Sequence, residues 1–194
     1  ELSTRAALQP EWTADDEIVY SDDPSGRWAL HRQRVSGAQA VGAAEQIIDD
    51  DADTGYGLWV LGNRWYGPLA DGRVVAVRTN GRDRVVVIDP DGSAHRIPLP
   101  ADGHVSVDDV AGSRVLLSGN SSTTEPGVWC VDVDTGRVEA VAGAAPTDGV
   151  DEALDAVRDG ATAVMCASDY RQLAVMRALR SAGLSVPGDV SVTG

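Results

Sequence analysis

The sequence predicts a mainly β chain, in which a partial β-propeller of about three antiparallel blades precedes a small α-β-α-β segment. Short runs of β-branched residues, separated by turn signals, predict strands in meander order. The pattern recurs at an interval near 40 residues, which is typical of propeller blades. From about Ala144 the apolar spacing changes from two residues to about 3.6, which predicts helices. We therefore predict two domains, residues 1–143 and 144–194.

The clearest predicted blade lies in the middle of the first domain. Arg73–Arg78 and Arg84–Asp89 are rich in valine and are joined through Asn80-Gly81, two residue types that tolerate positive φ in hairpin turns. Asp89-Pro90-Asp91-Gly92 predicts a second turn, because proline presets φ and glycine completes the turn. A third strand is predicted at His95–Leu99, before Pro100.

Two weaker copies flank this blade. Arg114-Val-Leu-Leu-Ser follows the similar Arg73-Val-Val-Ala-Val after 41 residues. Upstream, Glu17–Tyr20 and Trp28–Arg32 predict a hairpin, and Val35–Thr54 is expected to supply an outer strand and the crossing to the next blade. The repeat therefore predicts three consecutive blades.

The charge of the chain excludes several classes of partner. The formal net charge is −14, with 30 acidic residues against 16 basic residues, all of them arginine. Nucleic-acid binding requires a basic surface, and an anionic membrane would repel this chain, so neither partner is expected. No apolar run reaches the ~18 residues of a membrane span, and no signal-peptide pattern is present at the start. We predict a cytoplasmic location.

No metal or cofactor is predicted. Cys130 and Cys166 do not have the spacing of a redox pair or a zinc site, so we expect two buried free thiols in a reducing compartment. The acidic run Asp49–Asp53 lacks the alternating ligands and downstream glutamate of a calcium loop. It is interpreted as a solvated loop, with a cation site as the alternative.

The second domain has helical and buried-strand patterns. A helix is predicted to end near Gly160, and its apolar face consists of Val150, Ala153, Leu154 and Val157. Thr162–Ser168 predicts a buried strand that could pair in parallel. Asp169 is a suitable N-cap for a second helix to about Ala182, and a last strand begins at Val190. The expected inner face of the second helix consists of Leu173, Met176 and Leu179.

Residues of about 10–143 resemble a known family. The segments PEWTADDEIVYSDDPSGRWALHR and GLWVLGNRWYGPLADGRVVAVRTNGRDRVVVIDPDG are similar to propeller blades of the prolyl oligopeptidase family, in its acyl-aminoacyl-peptidase and dipeptidyl-aminopeptidase branch. The pattern Gly57-x-Trp-x-Leu-Gly-x-x-x-Tyr66 is the most specific part. This resemblance implies a non-catalytic propeller that caps an α/β-hydrolase domain and filters the peptides that reach its catalytic serine.

The end of the chain resembles a second family. The segment TAVMCASDYRQLAVMRALRSAGLSVPGDVSVTG is similar to the effector-binding domain of LacI/GalR-type repressors, which share the periplasmic sugar-binding fold. The resemblance implies that Asp169 lies near a sugar cleft, where its carboxylate would bind a sugar hydroxyl. The alternative is that Asp169 only caps its helix.

Two further ligand-binding candidates lie in the first domain. Tryptophans at repeating blade positions usually pack between blades, but Trp65, after Gly62-Asn63-Arg64, is the expected exception. Arg64 is expected on a pore-facing loop, where it would meet an anionic group.

The sequence does not predict catalysis by this chain. A hydrolase of the prolyl oligopeptidase type needs a Gly-x-Ser-x-Gly elbow, and none occurs here. His95 and His104 could pair with Ser93 or Ser106, but no strained turn or oxyanion hole is predicted beside them. We therefore expect that the chain is not an enzyme.

Three interpretations of function follow. The first is a non-catalytic propeller segment that gates substrates beside a peptidase domain, with peptides or that domain as partners. The second is a fragment of a LacI-type regulator that binds a sugar-like small molecule. The third is a fused or truncated product that joins unrelated pieces near Ala144 and has no independent function.

Overall fold

The computed structural model of the chain describes residues 6–57, 59, 61–144 and 149–194. Its first part consists of three four-stranded antiparallel sheets, each in meander order, which we call blades 1, 2 and 3. Blade 1 consists of β1 (Leu8–Ala14), β2 (Glu17–Asp22), β3 (Ala29–Ser36) and β4 (Gln39–Gln46). Blade 2 consists of β5 (Tyr66–Pro68), β6 (Val74–Thr79), β7 (Asp83–Ile88) and β8 (Ala94–Ile97). Blade 3 consists of β9 (Gly103–Ala111), β10 (Arg114–Ser121), β11 (Thr124–Asp132) and β12 (Arg137–Gly143). The predicted partial propeller is therefore confirmed.

Blade 2 shows how the local sequence produces this pattern. Valines at alternate positions of β6 and β7 pair across the hairpin, as in Val75 with Val87 and Val77 with Val85. Gly81 in the connecting turn has φ +69°, a conformation that glycine adopts without steric cost. In the following turn Gly92 has φ +84° and donates to the carbonyl of Asp89 at 2.9 Å. Both predicted turns are present.

The first strand of each blade is the inner strand. β5 lies between β1 and β9, and the amide of Val107 in β9 donates to the carbonyl of Arg64 just before β5 at 2.9 Å. The last strands β4, β8 and β12 are mostly exposed, as outer strands of blades should be. The outer strand expected within Val35–Thr54 is β4.

Apolar side chains fill the spaces between neighbouring blades. Val19 and Leu30 of blade 1 pack against Tyr66 and Val74 of blade 2 in one cluster. A second cluster between blades 2 and 3 contains Val75, Val77, Val87, Val107, Val115, Leu117, Trp129 and Val131. Each fully buried valine or leucine contributes about 1.5–3 kcal/mol through removal from water, so the blade contacts are the main source of stability.

The second part of the chain is a small α/β unit. It consists of α1 (Val150–Arg158), β13 (Ala163–Met165), α2 (Asp169–Ser181) and β14 (Ser191–Thr193), with β13 and β14 parallel. The predicted face of α1 packs in an apolar cluster with Val175, Leu179 and Val190. β12 ends at Gly143 and α1 begins at Val150, and residues 145–148 lie outside the described residues. The division of the chain into domains 1–143 and 144–194 stays a prediction.

Two local expectations for this unit were wrong, and a third, the inner face of α2, was correct only for Leu179. β13 is not a buried strand, because the sheet has two strands and leaves Met165 85% exposed. The N-cap of α2 is Ser168, whose extended backbone lets its hydroxyl accept from the amide of Arg171, while Asp169 occupies the first turn. The buried face of α2 contains Ala174, Val175 and Leu179, whereas Leu173 is 54% exposed.

The two cysteines are less buried than predicted. Cys130 and Cys166 are free thiols, but each is only half-buried, because β11 and the end of β13 lie near the surface. Among the described residues, neither helix has the length and apolar character needed to cross a bilayer.

Candidate functional site

Two grooves open at one end of the blades, where the β2–β3, β6–β7 and β10–β11 turns lie. The first, which we call the helix groove, is a cavity of about 1130 Å³ between the β6–β7 and β10–β11 turns and α2. Its lining includes Arg82, Asp102, His104, Asn120, Ser122, Asp169, Tyr170, Leu173, Met176, Arg177 and Arg180. The second, the turn groove, encloses about 900 Å³ between blades 1 and 2. Its lining includes Trp28, Asp53, Tyr56, Asn63, Trp65, Thr79 and Ser106.

The two grooves adjoin each other at a shared set of residues. Gly81 and Arg82 of the β6–β7 turn, and Asp102, Gly103 and His104 of the connection into β9, line both. His104 has φ +50°, an uncommon conformation for a residue with a side chain, although histidine is enriched there. This backbone geometry places an exposed imidazole at the junction of the grooves.

Polar contacts hold α2 over blade 3 and so form one wall of the helix groove. Asn120 at the end of β10 donates to the hydroxyl of Tyr170 at 3.2 Å. The Nε of Arg171 is 3.3 Å from Glu125 Oε1, and Arg177 donates to the hydroxyl of Ser122 at 3.3 Å. These three contacts couple the groove to the position of the helix.

Arg64, the predicted anion-binding residue, already has an anionic partner. Its Nη2 lies 2.9 Å from Oε1 of Glu11 in β1, and its guanidinium is about one-third exposed. The ion pair joins β1 to the residues just before β5, next to Tyr66, whose hydroxyl lies against the carbonyls of Gln9 and Val19. Burial raises the pKa of that phenol, with the Glu11 carboxylate adding to the effect. Arg64 therefore bridges two blades and lines neither groove.

Trp65, the predicted exception among the tryptophans, is buried. It is 4% exposed and belongs to the apolar cluster between blades 1 and 2. Its ring contacts that of Tyr56 edge-to-face, with the centroids 4.9 Å apart. Trp65 lines the turn groove with little exposed surface, whereas Tyr56, which also lines it, is 44% exposed and more accessible to a ligand.

Asp169 is the predicted residue with the most open position. It is exposed in the first turn of α2 and lines the helix groove. The structure brings it together with residues far away in the sequence, namely Arg82, Asp102 and His104. Binding of a ligand by Asp169, Arg64 or Trp65 stays a prediction.

No catalytic or metal-binding cluster is found in the part of the chain that the structure describes. Ser106 Oγ donates to the carbonyl of Arg64, and Ser93 Oγ binds the carboxylates of Asp89 and Asp91, so neither serine is hydrogen-bonded to a described histidine. No group of three or more His, Cys, Asp or Glu side chains within the described ranges could hold a metal ion. The helix groove offers charged and apolar side chains for contact with a ligand.

Sequence reasoning missed most of the groove. Arg82, Asp102 and Asn120 lie in turns of different blades, so no local pattern joins them. The lining residues of α2 did carry a signal: Asp169, Leu173, Met176, Arg177 and Arg180 have the spacing of one helical face. Leu173 and Met176 of that face were expected to pack inward, whereas in the structure they line the cavity.

Comparisons with solved structures identify relatives of the blades. The crystal structure of puromycin hydrolase is 31% identical, with a TM-score of 0.65, over 76% of this chain and 22% of that chain. A puromycin-hydrolyzing peptidase of Mycobacterium tuberculosis is 25% identical, with a TM-score of 0.63, over 72% of this chain and 21% of that chain. Dipeptidyl peptidase 4 of Porphyromonas gingivalis is 16% identical, with a TM-score of 0.51, over 76% of this chain and 19% of that chain. At this identity the likeness shows the fold alone.

The resemblance of the blades is confirmed, and that of the chain end is confirmed at the level of the periplasmic binding protein-like domain. The matches cover the N-terminal propeller region of prolyl-oligopeptidase-family puromycin hydrolase, and the chain spans less than a quarter of the length of these proteins. A sequence model of the periplasmic binding protein-like domain matches residues 124–194. A search of curated proteins found no match. The match to the periplasmic binding protein-like domain begins at residue 124, in β11 of blade 3. In the structure, β11 pairs antiparallel with both β10 and β12, so these strands belong to the blade.

Proposed function

We propose that this chain is a non-catalytic propeller segment that binds peptides at the turn end of its blades and gates their access to a serine peptidase domain. The observation that carries the proposal is the 31% identity of the blades to puromycin hydrolase, combined with the two grooves open at one end of those blades. Clefts with apolar lining and a few polar groups are the usual sites of small ligands.

The chain itself takes no part in bond cleavage in this proposal. Its sequence contains no Gly-x-Ser-x-Gly elbow, and the matched part of the relatives is their propeller. The peptidase domain would be a partner, and the peptide would pass between it and the grooves. The cytoplasm is the proposed location, which suits the two free thiols of Cys130 and Cys166.

Peptide binding is tested by calorimetric titration of the chain with the pentapeptide Ala-Leu-Ala-Leu-Ala. Leu173 lines the helix groove and is 54% exposed, so Leu173→Ser is expected to weaken binding about fivefold through lost apolar contact. Val141→Ser is the matched control, because Val141 is 58% exposed on β12 and lines neither groove.

Three results would count against the proposal. The first is that titration with the pentapeptide releases or absorbs no heat at millimolar concentration. The second is that the Leu173→Ser chain binds the pentapeptide as tightly as the unmutated chain, and the third is that Val141→Ser weakens binding. Mass spectrometry of the titrated peptide checks the non-catalytic part, since the peptide should be recovered uncut.

A second candidate is small-molecule binding of the kind found in LacI-type sugar-responsive regulators. It is favoured by the periplasmic binding protein-like match and by the exposed carboxylate of Asp169 in the helix groove. A titration with simple hexoses and pentoses separates the two candidates. Binding of a sugar that Asp169→Asn abolishes, without binding of the pentapeptide, would favour this second function.

A further inference from the structure

The charge of the helix groove differs from that of the chain. The chain has a net charge of −14, yet the groove is lined by three arginines and two aspartates. Arg82 is 3.3 Å from Asp102 and forms an ion pair with it. Among the described residues, Arg177 and Arg180 have no carboxylate partner, and Arg177 donates only to the hydroxyl of Ser122. The basic charge that is available to a ligand is therefore at Arg177 and Arg180.

The charges are ordered along α2. Asp169 lies in its first turn, Leu173 and Met176 follow on the same face, and Arg177 and Arg180 lie in its second half. A negative end, an apolar middle and a positive end thus follow one another along a single wall of the groove. A ligand complementary to this wall has a cationic end, an apolar body and an anionic end.

The length of the wall sets the size of the ligand. Residues 169 and 180 are separated by about 16 Å along the helix axis, at ~1.5 Å per residue. An extended peptide advances ~3.3 Å per residue, so about five residues span the same distance. A pentapeptide with free ends carries an ammonium group at one end and a carboxylate at the other, separated by this length.

We infer that the helix groove binds unblocked peptides of about five residues in one direction, with the amino terminus at Asp169 and the terminal carboxylate at Arg177 and Arg180. The inference rests on the proposed peptide binding and adds the length, the free ends and the orientation. Guanidinium groups suit this role because their planar N–H donors match the geometry of a carboxylate.

The test uses the pentapeptide Ala-Leu-Ala-Leu-Ala in three forms: with both ends free, with an amidated carboxyl end, and with an acetylated amino end. In the unmutated chain, amidation is expected to weaken binding about five- to tenfold and acetylation about threefold, as for exposed charge pairs. In a chain carrying Arg177→Gln and Arg180→Gln, amidation should have no effect while acetylation retains its effect. In a chain carrying Asp169→Asn, acetylation should have no effect on binding while amidation retains its effect.

Arg137→Gln is the control for the loss of positive charge, because Arg137 lies on β12, is exposed and pairs with Glu139. It should respond to amidation as the unmutated chain does. Thermal unfolding of each variant checks that α2 is intact, since Arg180 in its last turn also offsets the helix dipole.

The outcomes separate this inference from the proposed function. If the three forms of the peptide bind equally well, or if amidation still weakens binding to the double arginine variant, the orientation is wrong but peptide binding stands. If no form binds, both are wrong. A peptide of nine residues that binds far more tightly than the pentapeptide would contradict the inferred length.

Discussion

At the residue scale, the acidic run Asp49–Asp53 has a structural use. Arg78 is 2% exposed, donates to the hydroxyl of Thr54 at 2.9 Å, and forms an ion pair with Asp50. Burial lowers the pKa of Arg78 to about 10, and the nearby charges of Arg84 and Arg27 add to this effect. The Asp50 carboxylate offsets the free-energy cost of burying the Arg78 charge, because it lies against the guanidinium.

Asp51 and Asp53 of the run connect blade 1 and blade 2. Asp53 accepts from Arg27 at 2.8 Å and from the amide of Trp28 at 2.9 Å. Arg27 also forms an ion pair with Asp51, whose carbonyl accepts from Asn80 at 2.6 Å. Asp49, Asp50 and Asp51 are exposed, as expected of a loop, whereas Asp53 is half-buried, and the carboxylates of Asp50, Asp51 and Asp53 are paired with arginines.

Asp50→Ala is expected to lower the free energy of unfolding by about 1–3 kcal/mol, because it leaves the Arg78 guanidinium without its anionic partner. Asp49→Ala is the matched control and should have little effect, since Asp49 is exposed and its carboxylate accepts only from Gln46. Urea denaturation followed by tryptophan fluorescence measures both. Equal stability of the two variants would show that the ion pair contributes nothing.

At the scale of elements, α2 links the α/β unit to blade 3. Its contacts with Asn120, Glu125 and Ser122 all come from the β10–β11 hairpin. They are few, polar and partly exposed, whereas the apolar face of α2 packs within its own cluster. The helix is therefore expected to be stable within its unit and only weakly held against the blades.

Glu125→Gln is expected to increase hydrogen–deuterium exchange of the amides in α2 about two- to fivefold, because it weakens the ion pair with Arg171. Glu139→Gln, in the same blade but paired with Arg137, is the control and should leave exchange in α2 unchanged. Exchange in β6 and β7 should be the same in both variants. A rise in exchange across all blades would indicate global destabilisation, and the assigned contact would then be wrong.

At the scale of the whole molecule, the apolar clusters fall into two groups. Those of the blades share blade 2 and so form one continuous stack. The cluster of the α/β unit contains only residues from Val150 onward in the described part of the chain. Such separate cores are what distinguish domains that can unfold one at a time.

Elastase, which cuts after alanine, is expected to cleave the chain first between Val141 and Gly149 and to leave a resistant N-terminal fragment. The reason is that this region joins two separate apolar cores. Mass spectrometry of the fragments over time locates the cut. Early cuts within the blades would contradict the predicted boundary, and resistance across the region would indicate a single integrated domain.

The sequence by itself determined the elements and their order. Alternating valines, Asp/Asn-Gly turns and a repeat near 40 residues predict strands and blades, and the spacing in Val150–Val157 predicts α1, because these signals depend on neighbours in the chain. Only the tertiary structure decided which surfaces meet. It buried Trp65, paired Arg64 with Glu11, and turned Leu173 toward a cavity that the turns of other blades complete. Such contacts join residues that are far apart in the chain, where no local periodicity can report them.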